Sequence, residues 1–473
     1  MSQSDPTDAA EGELTAEARE ESARPGGLAG PVTEIPDGEG TAAAGADGRR
    51  RAPRPRSLWH DRNFLTIWSG QAFSQFGSQI QELAIPVLAV LVLNATEFEV
   101  GLLNAAGVAA FLVVGLPAGA WIDRMRKRHV MIWADAVRAV ALAAIPLLWW
   151  LGTLQIWHLY AVALIVGVAT VFFDVSYQSL VPALVRPSQI AEANGKLQAT
   201  YELANIAGPG LGGWLVAVLS APLAILVTVG TYLISFVALL FTRDNEKPRD
   251  ADDRSPILSE IWEGLRFVFT ERLLRRIVAT TATSNFFNTV SWTMLPIFIL
   301  RELGLSPASM GVIFSLGAVG GLLGAIATPH IVRWIGEARA IPVSSIGFSV
   351  VGLFLPLAAL VPSVAFPLLV VQGFIASFTV LLYNITQVTF RQRITPPRLL
   401  GRMNASVRFV VWGVMPIAAL LAGALGTWIG VVPTMWVGAI GELFAALFVI
   451  IGPFWSMRDL PDVERADEPE PER

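Results

Sequence analysis

Glu82 stands alone as an acid in a long apolar run, four residues ahead of Pro86, with Gln75, Gln79 and Gln81 on the same stretch. An ionisable side chain inside a membrane-crossing helix is costly, and such groups mark ion or substrate pathways. A carboxyl placed there can take up a proton while facing one side and release it while facing the other. A second cluster is "GAWIDRMRKR", Gly119 to Arg128, in which Asp123 lies beside Arg124, Lys127 and Arg128. Asp123 and Lys127 are four apart, acid before base, so they pair on one helix face. Gly119 lets its helix approach a neighbour closely. A third cluster, "GPGLGG" from Gly208 to Gly213, has almost no side chains. Gly208, Gly210, Gly212 and Gly213 clear one stretch and Pro209 removes a backbone donor, so this helix can bend and pack tightly.

Other chemistries have no footing in the chain. There is no cysteine, hence no disulfide and no thiolate metal site. The four histidines, His60, His129, His158 and His330, are scattered, and no HExxH or Gly-Lys-Ser/Thr loop occurs. Metal-dependent hydrolysis and ATP-driven pumping are therefore not expected, and neither a cofactor nor a metal is. The chain does not read as an enzyme.

These residues sit in elements set by composition. Hydrophobic residues make up 53% of the 473 and charged ones only 15%, with a mean hydropathy of +0.56. A soluble domain of this length needs far more polar surface. A bilayer core of about 30 Å takes roughly 20 helical residues. Stretches that long are expected at 64–93, 97–122, 129–151, 155–184, 190–219 and 221–242, and again at 275–301, 307–335, 339–361, 364–390, 400–429 and 431–455. That reads as an all-α integral membrane protein of twelve spans. Residues 1–56 and the acidic 457–473 are too polar to bury a core, and read as disordered cytoplasmic tails. No cleavable signal peptide is visible, so the first span serves as an uncleaved signal.

Orientation follows from charge. Of the 34 Lys and Arg, all but Arg301 fall on the side of the two chain ends, which places both termini in the cytoplasm by the positive-inside rule. Helix 4 then runs inward, which brings Asp174 near the Asp123 cluster. Glu202, Asp135 and Arg138 fall near cytoplasmic ends and pair locally, and Glu442 reads as peripheral. Clustering of basic residues on that one face is explained by topology, so no nucleic-acid partner is implied. Residues 243–273 connect two six-span halves, 57–242 and 274–456. Within that connection Ile257, Ile261, Leu265 and Val268 repeat at helical spacing, an amphipathic interfacial helix. Pro86 and Pro296, Gly101 and Gly311, Gly107 and Gly317, and Asn194 and Asn404 are each separated by 210 positions. A constant offset across several helices argues for duplication, and two six-helix repeats are a transporter architecture.

The loop "GAWIDRMRKR", the helix-5 run "GPGLGG" and "FFDVSYQSLVPALV" in helix 4 together resemble the major facilitator superfamily. They are most similar to its drug, macrolide and siderophore (enterobactin-type) exporter branch. The resemblance spans residues 57–456 and implies two pseudo-symmetric six-helix bundles. It implies that Gly119, Asp123, Arg124, Lys127, Arg128 and Asp174 form a cytoplasmic gate broken when the halves rock. It implies too that Gly208, Pro209, Gly212 and Gly213 form an antiporter motif that closes a leak path and favours export. Two departures stand out: Arg126 replaces the family's second loop glycine, and helix 4 lacks the arginine many drug:proton antiporters carry. Arg333 occupies the place of Asp123 in the second half, so that copy of the latch has decayed. By the same resemblance helices 1, 4, 7 and 10 line a cavity, which nominates Gln75, Gln79, Phe173, Tyr177, Asn288, Trp292, Gln372, Tyr383 and Asn384. Aromatics, amides and one acid suit a bulky amphiphilic ligand. The expected protein is a monomeric secondary exporter in a bacterial inner membrane, with Glu82 coupling protons, or sodium, to a small-molecule substrate. An importer or uniporter of the same fold, or a non-transporting scaffold or sensor, shares these features.

Overall fold

Lipid offers backbone amides no hydrogen-bond partner, so a chain this apolar satisfies them within helices. The computed structural model describes residues 57–122, 125–243, 257–396 and 399–458, and no strand occurs among them. The first half contains α1 (Arg62–Val87), α2 (Glu97–Ile122), α3 (Lys127–Trp150), α4 (Ile156–Leu184), α5 (Ile190–Leu219) and α6 (Ala221–Phe241). A connecting helix, α7 (Ile257–Thr270), leads to α8 (Arg272–Ile297), α9 (Pro307–Ile335), α10 (Glu337–Gly352) and the single turn α11 (Phe354–Leu357). The second half is completed by α12 (Ala365–Ile394), α13 (Leu400–Gly413), α14 (Met415–Ile429) and α15 (Val431–Ile450). Among the described residues, ten spans are long and apolar enough to cross a bilayer. The 26-residue α2 and α8 occupy matching places in the two halves and complete twelve.

The expected spans agree with these helices to within a few residues. Prolines account for the irregularities. Pro86 and Pro296 lack an amide hydrogen, and after each the helix widens into a π-helical turn, Leu88–Val92 and Phe298–Glu302. Pro356 lies in the broken stretch that ends the ninth span, and Pro416 where the eleventh divides into α13 and α14. The amphipathic connection is realised as α7: Val268 is buried, Trp262 is 71% exposed, and Glu263 pairs with Arg402 of α13. The tail boundary at 457 needs a small correction, because Ala338 N–H donates to the Arg458 carbonyl at 3.1 Å and Met457 packs on the second half. The remainder of both expected tails lies outside the described residues.

The duplication is legible in the architecture. Arg62 and Arg272, Glu97 and Pro307, Lys127 and Glu337, Ile190 and Leu400, and Ala221 and Val431 begin matching helices 210 positions apart. The π turns keep the same spacing. So does the tight turn after the fifth span, built on Ser220 at φ 87° in the first half and on Gly430 at φ 90° in the second. Packing repeats too. Helix α1 packs on α5 and α6, α3 on α4 and α6, and α2 on α4, while α8 packs on α14 and α15, α10 on α12 and α15, and α9 on α12. Between halves, α5 meets α9 and α2 meets α14.

Those two seams are tight at one end only. Near the face away from the chain termini, Gly213 lies against Pro307 and Gly311, and Gly101 against Ala419 and Gly423, so closely that an added Cβ would strike backbone atoms. Asn104 Nδ2 donates to Thr293 Oγ1 at 2.6 Å, and Gly210 N–H to Ser315 Oγ at 2.9 Å. One apolar core there runs across both halves and includes Leu83, Val100, Val290, Met310 and Ala418. At the opposite end each half keeps separate apolar clusters, around Met131 and Phe173 in the first and around Ile277 and Phe390 in the second.

Arg301 fastens the closed end. Its guanidinium donates to the carbonyls of Val90 and Ala95 in the other half, both at 2.7 Å. The one basic residue off the expected side is thus an inter-half clasp. Two charge-assisted bonds contribute about 3 kcal/mol together. Arg301→Ala should therefore raise the population open on the distal face by about tenfold or more. The cysteine-free chain permits a direct measurement: a single cysteine at Gln79 should react with a membrane-impermeant thiol reagent from the distal side much faster in the Arg301→Ala background.

Candidate functional site

Separation of the halves at the terminus face opens a cavity of about 750 Å³ walled by α1, α5, α8, α9 and α12. Five of the residues nominated from sequence line it: Gln79 and Glu82 from α1, Pro209 from α5, Trp292 from α8 and Gln372 from α12. Glu82 is exposed to this space, and Pro86 sits one turn beyond it in the same wall. From α5 come Gln198, Tyr201, Glu202, Asn205 and Pro209. Gln198 Nε2 donates to Glu202 Oε1 at 2.7 Å, which holds that second carboxylate in place. Trp292 stacks on Phe314 of α9 with ring centroids 5.3 Å apart, and Leu83, Leu295, Met310, Ile313 and Leu369 supply the apolar surface. Among the described lining residues there are two carboxylates and no Lys, Arg or His.

The glycine motif builds one edge of this space. Gly208 faces Gln79 and Gly212 faces the Ile80 backbone, while Gly210 and Gly213 face Ser315 and Gly311 of the other half. Helix α5 is therefore pressed between α1 and α9, with glycines on both sides. Any side chain larger than hydrogen at Gly208 or Gly213 forces one neighbour away.

The other nominated residues lie elsewhere, and helix 4 is the main correction. Phe173 is buried in the first half beneath the Arg138 guanidinium, 4.1 Å from the ring centre, and Tyr177 stacks on Phe173. Gln75 lines neither cavity described in this structure. Asn288, Tyr383 and Asn384 line a separate cavity of about 130 Å³ inside the second half. Periodicity could not separate these faces, because a helix in a bundle shows polar residues toward an internal pocket as readily as toward a central one.

Asp135 and Arg138 do pair locally, at 2.6 Å and almost fully buried. The guanidinium also lies 4.6 Å above the Tyr232 ring, and Asp174 is within its electrostatic reach. Of the gate residues, Gly119 lies in α2, and Asp123 and Arg124 lie outside the described residues. Lys127 opens α3. Arg128 donates to the carbonyls of Leu239 and Leu240 at 2.8 and 2.7 Å, tying α3 to the end of α6 within its own half. In the second half the position matching Lys127 is Glu337, which pairs with Arg393 of α12 at 2.6 Å.

Glu442 is the second correction. It is not peripheral: it is 4% exposed, accepts from Ser284 Oγ at 2.5 Å, and keeps its other oxygen buried without a partner. Sequence reasoning also missed the walls given by α5 and α9. Tyr201, Glu202 and Asn205 at near-helical spacing were the available signal, hidden because α5 faces both lipid and cavity.

A twelve-helix protein of two duplicated halves around a membrane-embedded cavity is a membrane transporter. The family model for the Major Facilitator Superfamily matches residues 67–416, and the chain belongs to that superfamily. It is 27% identical over 363 residues to the multidrug efflux pump Tap of Mycolicibacterium fortuitum, covering 74% of this chain and 85% of that protein. It is 22% identical over 369 residues to macrolide efflux protein A of Streptococcus pyogenes, covering 78% and 90%. Among solved structures, a bacterial homologue of the iron transporter ferroportin in its inward-facing state matches with a TM-score of 0.69, at 18% identity over 84% of this chain and all of that one. The outward-facing state of such a homologue matches at 0.52, with 17% identity over 84% and 99%.

The Asp135–Arg138 pair yields a stability test. Asp135→Asn leaves a guanidinium buried against two rings without its counter-charge, a change that costs about 3–5 kcal/mol. Thermal unfolding of the purified variant in detergent should show a large fall in Tm, whereas Lys196→Gln, which loosens a half-buried i,i+4 pair with Glu192, should shift it less.

Proposed function

We propose that this protein is a proton-driven exporter of bulky, amphiphilic, cationic small molecules that works by alternating access. The observation that carries the reading is the cavity itself. Its volume of about 750 Å³ lies within the range of drug-sized pockets. Its wall is mostly apolar and aromatic, with carboxylates at Glu82 and Glu202 and no described base. An apolar space with uncompensated negative charge and a free tryptophan face favours a cation with a greasy body. It disfavours an anionic ligand such as a catecholate siderophore. Drugs and basic amphiphilic metabolites are therefore the proposed substrates, in keeping with the efflux pumps this chain resembles.

The positive-inside distribution supports placing the open end, and both chain termini, in the cytoplasm of a bacterial cell membrane. In that orientation the state described takes substrate from inside, as an exporter must. Glu82 then faces the cytoplasm while Arg301 and the glycine seams hold the outer end shut. Rocking about those seams would carry Glu82 to the outside, where it takes a proton. The cationic substrate and the proton compete for the same carboxylate, so binding one expels the other. That competition converts a proton gradient into export.

The test uses an efflux-deficient bacterial host expressing the full chain. Ethidium accumulation should fall several-fold relative to an empty vector, and a protonophore should restore it. Glu82→Gln keeps the side-chain shape and should abolish the gradient-dependent part while leaving the protein in the membrane. Unchanged accumulation with the protein correctly inserted, or unaltered efflux in Glu82→Gln, would sink the coupling scheme. Raised accumulation would reverse the direction. Replacing external sodium with choline separates a sodium-driven pump from a proton-driven one.

A further inference from the structure

The duplication allows each half to be read against the other. In the first half, Asp135, Arg138, Phe173 and Tyr232 form one buried group, with the guanidinium paired to the acid and lying on both rings. The residues 210 positions on are Ser345, Phe348, Tyr383 and Glu442. The second half thus keeps a buried acid, moved to α15, and has lost the arginine that would neutralise it.

Where the arginine would stand there is a cavity. The 130 Å³ space between α8, α10 and α12 is lined by Ser345, Phe348 and Tyr383 themselves, with Thr280, Ser284 and Asn288 among its other polar groups. Ser284 donates to Glu442 Oε1, and Ser349 Oγ donates to the Glu442 backbone carbonyl at 3.0 Å. Glu442 Oε2 and Thr280 Oγ1 are both buried without a hydrogen-bond partner. An ionised carboxylate at this depth is costly without a counter-charge.

The groups around it do not supply one. Helix α8 contributes Ser284, with Arg276 further along bonded to the Phe448 carbonyl. Helix α10 contributes Ser349. Helix α12 contributes Tyr383, whose hydroxyl meets Thr281 at 2.8 Å and which lies within electrostatic reach of both Glu442 and Arg391. The Arg391 guanidinium acts on Tyr383 and Arg408. Helix α14 brings no charged residue to α15. No His, Cys, Asp or Glu cluster suited to a transition metal occurs among the described residues. The surroundings are hydroxyls, amides and one carboxyl, hard oxygen donors in a space large enough for a few water-sized occupants.

We infer that Glu442, Ser284 and the polar cavity beside them form a binding site for a single small monovalent cation, held in the second half where the first half carries the Arg138 guanidinium. The charge is a proton on the Glu442 carboxyl or a sodium ion among these oxygens. Because Glu442 and Ser284 lie on α15 and α8, and the cavity reaches α10 and α12, occupancy draws together the helices that surround the second-half core. This goes beyond the export reading, which places coupling at Glu82 in the central cavity.

Infrared difference spectroscopy on the full chain in lipid tests it without any transported substrate. In the proton form, a protonated-carboxyl band titrates with pH in the wild type, persists in Glu82→Gln, and is lost in Glu442→Gln. In the sodium form, replacing choline chloride with sodium chloride at fixed pH raises the Tm of the wild type and leaves Glu442→Gln unmoved. Phe348→Arg places a guanidinium at the position of Arg138 and should abolish either response, which keeps the test usable if Glu442→Gln does not fold. A wild type that responds to neither pH nor sodium, or a response retained in Glu442→Gln, overturns the site. Failure of ethidium export leaves these readouts untouched, so the two proposals fail separately.

Discussion

The two halves of this protein are held together where backbones can touch. Gly101 with Gly423 on one seam and Gly213 with Gly311 on the other remove the side chains that would keep α2 from α14 and α5 from α9. Between lipid-immersed helices there is no hydrophobic drive to associate, so close van der Waals contact and internal hydrogen bonds must do it. The Arg301 guanidinium on the Val90 and Ala95 carbonyls adds a polar clasp at the same end. With attachment confined there, the remainder of each half is free to diverge. The cavity and its opening at the terminus face follow from that asymmetry.

The same constraint explains the glycine motif of α5. Its role in this structure is to let one helix serve two neighbours: Gly208 and Gly212 fit α1, and Gly210 and Gly213 fit α9. Since α1 carries Glu82 and α9 carries much of the cavity wall, α5 joins the two sides of the cavity across the seam between the halves. The motif is thus small-residue packing on two sides of one helix at once.

Inside each half, burial of charge follows a different logic. The first half neutralises Asp135 with Arg138 and covers the pair with Phe173 and Tyr232. The second half answers the same helix arrangement with Phe348, Tyr383, Glu442 and a polar cavity. Duplication thus produced one version of this group with an internal ion pair and one with a buried acid beside a polar cavity. Such divergence suits a transporter in which the two halves share a fold and divide the labour.

Much of this was written in the sequence. Helix spans, the repeat and the face carrying the termini follow from hydropathy, a 210-residue offset and the placement of Lys and Arg, because a bilayer imposes length and charge rules that act on each segment alone. Glu82 stood out as a lone acid in an apolar run, while Gln79, Trp292 and Gln372 were nominated by the resemblance to the major facilitator superfamily. What tertiary structure decided was direction: that Phe173 and Tyr177 face Arg138, that Asn288 and Tyr383 face a pocket within one half, that Glu202 and Tyr201 face the central cavity, and that Glu442 is buried. These helices carry polar residues toward more than one neighbour, so their spacing does not say which side meets lipid, partner or cavity. Only the packing of neighbours, set by contacts far apart in the chain, assigns the faces.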